Sequence, residues 1–146
     1  KIKSQNKLYK GGKLTMSKAK TVRVVNSEKV ASTDGTWAQY TRKGNLLFIS
    51  GQVALDAKGN IIGRNSFEKQ AKQALDSLVT MLKAGGANLE DLMMITVFVT
   101  DMNNRSIFAK VRKAYFRKNP PASTIVEVKR LCTDGLLIEV NGIAVS

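Results

Sequence analysis

Two neighbouring stretches carry the clearest secondary-structure patterns: 66–86, SFEKQAKQALDSLVTMLKAGG, and 92–100, LMMITVFVT. Ser66 is a candidate N-cap, and Glu68 lies in the first turn, where a negative charge favours the helix dipole. Apolar residues then recur every three or four positions, which predicts a helix with one buried face. Gly85-Gly86 predicts its end through a left-handed C-terminal residue. The β-branched run that follows is typical of a strand.

The same kinds of pattern predict further strands at 21–25, 37–42, 46–50, 123–128 and 136–145. A second helix is expected to begin at Asn103 or Asn104 and to end at Pro120-Pro121. The order of strands, helix, strand, helix and two strands predicts an α+β domain. Two helices should pack on one face of a mixed sheet.

The predicted strands are apolar on both faces, although two helices can cover only one face. We therefore expect the second face of the sheet to be covered by oligomerisation.

Composition and charge exclude several classes of catalytic and metal site. The 146 residues include one cysteine and no histidine, and the net charge is +13. Without histidine, Ser-His and Cys-His nucleophile pairs and most zinc sites are excluded. The apolar runs are too short to span a bilayer, so no membrane partner is expected.

Residues 1–20 contain seven lysines and no acidic residue, so they carry +7, and the rest of the chain carries +6. We interpret 1–20 as a basic, flexible tail or an expression remnant, since Met16 is a plausible natural start, and 21–146 as a single domain. Two alternatives for the tail are a mitochondrial leader and an RNA-binding arm.

Several motifs then occur in order: SGQV at 50–53, AGGANLED at 84–91, TVFVTDMN at 96–103, PASTIVEV at 121–128 and IEVNGIAV at 138–145. In these motifs the chain resembles the RidA family, also called YjgF or L-PSP, from about Trp37 to Val145. The resemblance implies a chorismate-mutase-like α+β fold and a homotrimer with a β-barrel core. Three clefts between subunits would bind a small molecule. It also implies hydrolysis of 2-imino acids to 2-keto acids and ammonia, with no metal or organic cofactor.

Glu139 matches the glutamate that activates water in the family. A carboxylate within Leu-Leu-Ile-Glu-Val is costly to bury without a partner, and desolvation would raise its pKa toward the range useful to a base. The alternative interpretation is that Glu139 pairs with a basic residue across a subunit boundary.

The family's carboxylate-binding arginine corresponds to Ser123 in this chain. A serine offers one neutral donor where a guanidinium offers a charged fork. The chain thus resembles the branch of the family that lacks this arginine, and weak or altered hydrolysis is expected. Lys129, Arg130, Arg42 or a residue of the next subunit are candidates to compensate.

The remaining candidate binding residues are matched by position to the family's cleft, with ordinary strand packing as the alternative: Trp37, Ser50, Ala109, Thr124 and Ile125. Trp37, Ala109 and Ile125 predict a drier and less cationic cleft than that of typical members. Glu127 is interpreted as a structural ion-pair partner, and Cys132 as a buried or edge thiol without a function.

Three functions remain open. The first is a homotrimer that binds a small polar metabolite with weak or altered imine hydrolysis. The second is a true 2-imino acid deaminase with a substitute cation. The third, ranked lowest, is an RNA-binding protein or endoribonuclease, because the body lacks a histidine pair and an aromatic stacking cluster. A cytoplasmic location is expected, or a mitochondrial one if the basic N-terminus is a leader.

Overall fold

The computed structural model describes residues 21–24, 30–33 and 35–146. It contains β1 (Thr21–Val24), β2 (Tyr40–Lys43), β3 (Leu46–Val53), α1 (Phe67–Ala84), β4 (Leu92–Val99), α2 (Arg105–Tyr115), β5 (Ala122–Glu127) and β6 (Ile138–Val145). Single 3-10 turns precede β4 and α2, at Leu89–Asp91 and Met102–Asn104. The predicted α+β class is confirmed. The predicted tail at 1–20 lies outside the described residues.

The six strands form one mixed sheet in the order β1-β2-β3-β6-β4-β5. Only β4 and β5 are parallel, and every other neighbouring pair is antiparallel. Parallel neighbours need a crossover connection, which α2 provides. In this order β5 forms one edge of the sheet, and β6 is central, between β3 and β4.

The core lies between α1 and one face of the sheet. Ser66 caps α1 as predicted, since its hydroxyl accepts a hydrogen bond from the backbone N–H of Lys69 at 3.4 Å. The left-handed residue at the end is Gly86, with φ of +80°. The large buried side chains of α1 pack against those of the central strands: Leu75, Leu78, Met81, Leu82, Leu47, Ile95, Val97 and Val140.

Several element boundaries differ from the predictions; for example, β3 extends to Val53 and β6 begins only at Ile138. The strand expected at 37–42 begins only at Tyr40, and Trp37 lies in a bend with 45% of its surface exposed. The α2 helix ends at Tyr115, well before the prolines. Pro120 would clash with the carbonyl of Phe116 in a continuing helix, so the helix stops before that residue. Asn104 occupies the N-cap position without a side-chain hydrogen bond.

The face of the sheet opposite the helices, here called the open face, carries exposed apolar side chains. Phe48 is opposite Ile143 on β6, which is in turn opposite Met94 on β4, and Leu46 is opposite Val145. Phe48 keeps 46% of its surface exposed. Nothing in the described part of the chain covers these side chains, so the expectation of an oligomer stays a prediction. In the same part, no helix is long and apolar enough to cross a bilayer.

Candidate functional site

Glu139 lies in the central strand β6 between the buried residues Ile138 and Val140. Its strand partners are Val53 on β3 and Phe98 on β4, so its side chain projects from the open face. Partial burial raises the pKa of the Glu139 carboxyl above its ordinary value. Among the described residues, the carboxylate accepts no hydrogen bond and forms no ion pair. A carboxylate in this state is available to a ligand or to water.

A cavity of about 350 Å³, here called the Glu139 cavity, opens beside this carboxylate. Its lining includes three of the predicted site residues, Trp37, Ser50 and Glu139. Gly51 also lines it, and a Cβ at Gly51 would overlap the Glu139 carboxyl group. The glycine therefore allows the carboxylate to lie against strand β3. The Ser50 hydroxyl donates to the carbonyl of Ala38 at 2.6 Å, which leaves its oxygen free to accept.

Gln39 is a further residue of the Glu139 cavity that the sequence did not single out. It is 1% exposed, and its side-chain amide donates to the carbonyl of Ala31 at 2.9 Å. Its Oε1 is buried and has no hydrogen-bond partner in the described part of the chain. The cavity thus has the Glu139 carboxylate as an acceptor for N–H or O–H groups of a ligand, and an unpartnered amide oxygen is buried in its wall.

The other predicted site residues gather on α2 and β5. Ala109, Ser123 and Ile125 line a second cavity of about 560 Å³, here called the Ser123 cleft. Arg112 lines it as well, and its Nη1 donates to the Ser123 hydroxyl oxygen at 3.3 Å. The Arg112 guanidinium also lies 5.9 Å from the centre of the Phe108 ring, within the range of a cation–π contact.

Arg112, like Gln39, is a site residue that the sequence did not single out. The expected compensating cations are not at Ser123: Arg42 donates to the carbonyls of Gly44, Gly85 and Ser146. Lys129 and Arg130 line neither the Glu139 cavity nor the Ser123 cleft. Arg112 is thus the one cation that a hydrogen bond places at Ser123 within the described chain, and the expectation of a cleft less cationic than that of typical members stays a prediction.

The side chains of Ser123 and Glu139 point to opposite faces of the sheet. Side chains alternate along β5, so Ser123 and Ile125 face α2, whereas Thr124 points to the open face and does not line the Ser123 cleft. Glu139 also projects from the open face. A single chain therefore separates its predicted residues into two groups and does not bring them into one site.

Three further observations concern titratable or ligating side chains. Glu127 accepts a hydrogen bond from the backbone N–H of Met102 at 2.6 Å, so it is held by a backbone amide. Cys132 is exposed and lies just before the turn that precedes β6, so the expected position near a turn agrees with the structure and only a buried thiol is wrong. Within the described ranges, no three His, Cys, Asp or Glu side chains form a potential metal site.

Known proteins resemble this chain over most of its length. A family model described as Endoribonuclease L-PSP matches residues 27–146. A RutC family protein of Sulfurisphaera tokodaii is 38% identical over 113 residues, which are 77% of this chain and 90% of the relative. A 2-iminobutanoate/2-iminopropanoate deaminase of Mus musculus is 31% identical over 123 residues, 84% of this chain and 90% of the relative.

The crystal structure of the YjgF gene product of E. coli superimposes with a TM-score of 0.77 and 29% identity. The match covers 85% of this chain and 98% of that one. The mixed sheet with two helices agrees with this structural match. The chain belongs to the RidA/YjgF/L-PSP family.

Proposed function

We propose that this protein is a homotrimer that binds a small polar metabolite in clefts between its copies. Hydrolysis of imines or enamines in these clefts is weak or altered, because Ser123 stands where the family has an arginine. The observation that supports this proposal is the division of the site residues into two groups on opposite sides of the sheet. Neither group alone has both an acceptor for water and a cation for a ligand, so a second copy would complete each site.

In this proposal Glu139 activates the water molecule. The carboxylate takes a proton from water as the water oxygen attacks the imine carbon of a 2-imino acid. The protonated Glu139 gives this proton to the imine nitrogen, which forms a tetrahedral carbinolamine. The proton of its new hydroxyl group then moves to the amine nitrogen as the carbon–nitrogen bond breaks and the carbonyl forms. The products are a 2-keto acid and ammonia, which balances the atoms of the imino acid and water. The raised pKa of Glu139 supports this role, because a stronger base accepts the proton more readily.

A true 2-imino acid deaminase is the second candidate. Two observations favour it: Arg112 supplies a guanidinium at Ser123, and a deaminase is among the relatives at 31% identity. The two candidates differ in the rate of hydrolysis and not in the location of the site.

The test is hydrolysis of freshly generated 2-iminobutanoate by the wild type and by Glu139→Gln. The proposal expects a slow rate that falls at least tenfold further in the variant, in line with the loss of a general base. A rapid wild-type rate that depends on Glu139 would establish the second candidate. A rate that is unchanged by Glu139→Gln would remove Glu139 from the reaction and overturn both.

A further inference from the structure

The Ser123 cleft contains a cation whose charge nothing in the described chain neutralises. The α2 helix, RSIFAKVRKAY, has four basic residues and no acidic one. Arg112 forms no ion pair with any described residue, and only its hydrogen bond to Ser123 and its contact with Phe108 are present. A guanidinium has five N–H donors in a planar fork that matches a carboxylate. Most of these donors are therefore available to an anionic ligand.

We propose that Arg112 is the cation that binds the ligand's carboxylate in the Ser123 cleft, supplied by helix α2 and not by strand β5. This inference rests on the proposed function, because it names the ligand class of the same site. The ligand is a small 2-oxo or 2-imino monocarboxylate with a short apolar chain.

The helix places Arg112 in a fixed position. Phe108 and Ala109 precede it by four and three residues, so all three lie on the side of α2 that faces β5. Phe108 is buried, and its ring contacts the guanidinium, which restricts the long arginine side chain. A cation that is already held in place loses less conformational entropy when the ligand binds.

Ser123 and the neighbouring side chains supply the rest of the subsite. The Ser123 oxygen accepts from Arg112, and its own O–H can donate to a ligand oxygen. Ala109 is small and leaves space beside the guanidinium, and Ile125 provides an apolar wall. Arg105 lines the same cleft two helical turns before Arg112 and adds to the positive field. This arrangement fits one carboxylate joined to a short aliphatic chain.

The test measures binding of 2-oxobutanoate to the full chain by isothermal titration calorimetry. Arg112→Gln should weaken binding by about tenfold or more, because a charge-assisted hydrogen-bond pair is replaced by a neutral one. Arg112→Lys should recover only part of the affinity, since an ammonium lacks the planar fork. Lys110→Gln is the control, because Lys110 carries the same charge on the same helix but does not line the cleft.

A double variant shows whether weak binding results from loss of the cation or from loss of the folded structure. Arg112→Gln combined with Ser123→Arg returns a guanidinium to the cleft from β5 and should restore affinity to within about threefold of the wild type. The uncharged 2-oxobutanamide should bind weakly to the wild type and should not respond to Arg112→Gln.

Three results would overturn the inference: no binding of 2-oxobutanoate by the wild type, equal affinity in Arg112→Gln and wild type, or equal losses in Arg112→Gln and Lys110→Gln. Binding that depends on Arg112 without any hydrolysis by the wild type would instead remove the hydrolytic part of the proposed function and leave this inference standing. Hydrolysis that depends on Glu139 but not on Arg112 would leave the proposed function standing and would overturn this inference.

Discussion

At the scale of single residues, Glu139 links the chemistry of the proposed site to the stability of the fold. Burial raises the pKa of its carboxyl above the ordinary value of 4.5. Below that pH the carboxyl is protonated in both the folded and the unfolded chain, so it does not change the free energy of unfolding. As the pH rises toward the folded-state pKa, the unfolded chain ionises first, and the folded state loses stability.

We therefore expect Glu139→Gln to raise the melting temperature at pH 7 and to leave it nearly unchanged at pH 4. The glutamine keeps the shape of the side chain but has no charge to desolvate. Thermal unfolding of both proteins across this pH range checks the prediction. A difference in melting temperature that is independent of pH would show that the charge of Glu139 costs the fold nothing.

Gly51 provides a second prediction, because a side chain there would displace the Glu139 carboxyl group. The overlap involves the far end of a flexible side chain, so Gly51→Ala should change the melting temperature little. It should nevertheless reduce hydrolysis of 2-iminobutanoate by about tenfold or more, because a misplaced catalytic group costs rate steeply. Both quantities are measured on the same protein preparation.

Gly85→Ala is the contrasting control. A Cβ at Gly85 would approach the δ-carbons of the buried Leu47 to 2.6 and 2.7 Å, and the packed core has little space to adjust. This variant should lose about 1–3 kcal/mol of stability, as overpacked cores do. If Gly51→Ala is destabilised as much as Gly85→Ala, the role of Gly51 is in packing and not in placing the carboxylate.

At the scale of elements, a buried glutamine joins α1 to the start of β6. Gln70 is fully buried, and its amide donates to the carbonyls of Gly63, Arg64 and Gly135 at 3.3, 3.3 and 2.8 Å. Its oxygen accepts from the backbone N–H of Leu137 at 2.8 Å. This contact holds the chain two residues before Glu139. The helix that forms the core thus also positions the strand that carries the candidate base.

Gln70→Leu should therefore destabilise the protein by about 2–4 kcal/mol, because it leaves several buried backbone groups without partners. Chemical denaturation measures the loss. Gln73→Leu is the matched control: Gln73 lies one turn later, and its amide makes only a weak contact with the Ser77 hydroxyl at 3.4 Å. Similar losses in the two variants would contradict a special role for Gln70.

The sequence predicted those parts of the fold and site that depend on local pattern. The apolar periodicity of α1 and the Ser66 cap are local, and both agree with the structure. The isolated glutamate in an apolar strand was likewise enough to anticipate the desolvation of Glu139. Arg112 could not be anticipated in this way, because its partner Ser123 lies 11 residues away on another element. The two meet only in the tertiary structure, where Arg112 reaches from α2 to the Ser123 hydroxyl on the edge strand β5.

At the scale of the whole molecule, the open face and the divided site lead to the same expectation. Phe48, Met94 and Ile143 form a continuous apolar surface on the central strands, and Glu139 projects from the same face of the sheet. Contiguous exposed apolar surface of this kind is typical of protein interfaces. Association through the open face would bury these side chains, and the clefts between copies would then supply both halves of the site.

Sedimentation equilibrium at micromolar concentration should accordingly give a mass about three times the 16.0 kDa of the chain. Burial of a phenylalanine side chain contributes about 1.5–3 kcal/mol, and each of the three copies would contribute one Phe48. Phe48→Glu replaces this gain with the cost of desolvating a charge in each copy, so the variant should sediment as a monomer. Lys58→Gln, which alters the charge by the same amount in an exposed turn, should remain a trimer.

The same variant also tests whether activity requires the assembly. If Phe48→Glu becomes monomeric and stops hydrolysing 2-iminobutanoate, while circular dichroism shows that its helices and sheet persist, then the active unit is the assembly. If the monomer retains the wild-type rate, Glu139 and Arg112 do not act in a shared cleft, and the division of the site between copies is wrong.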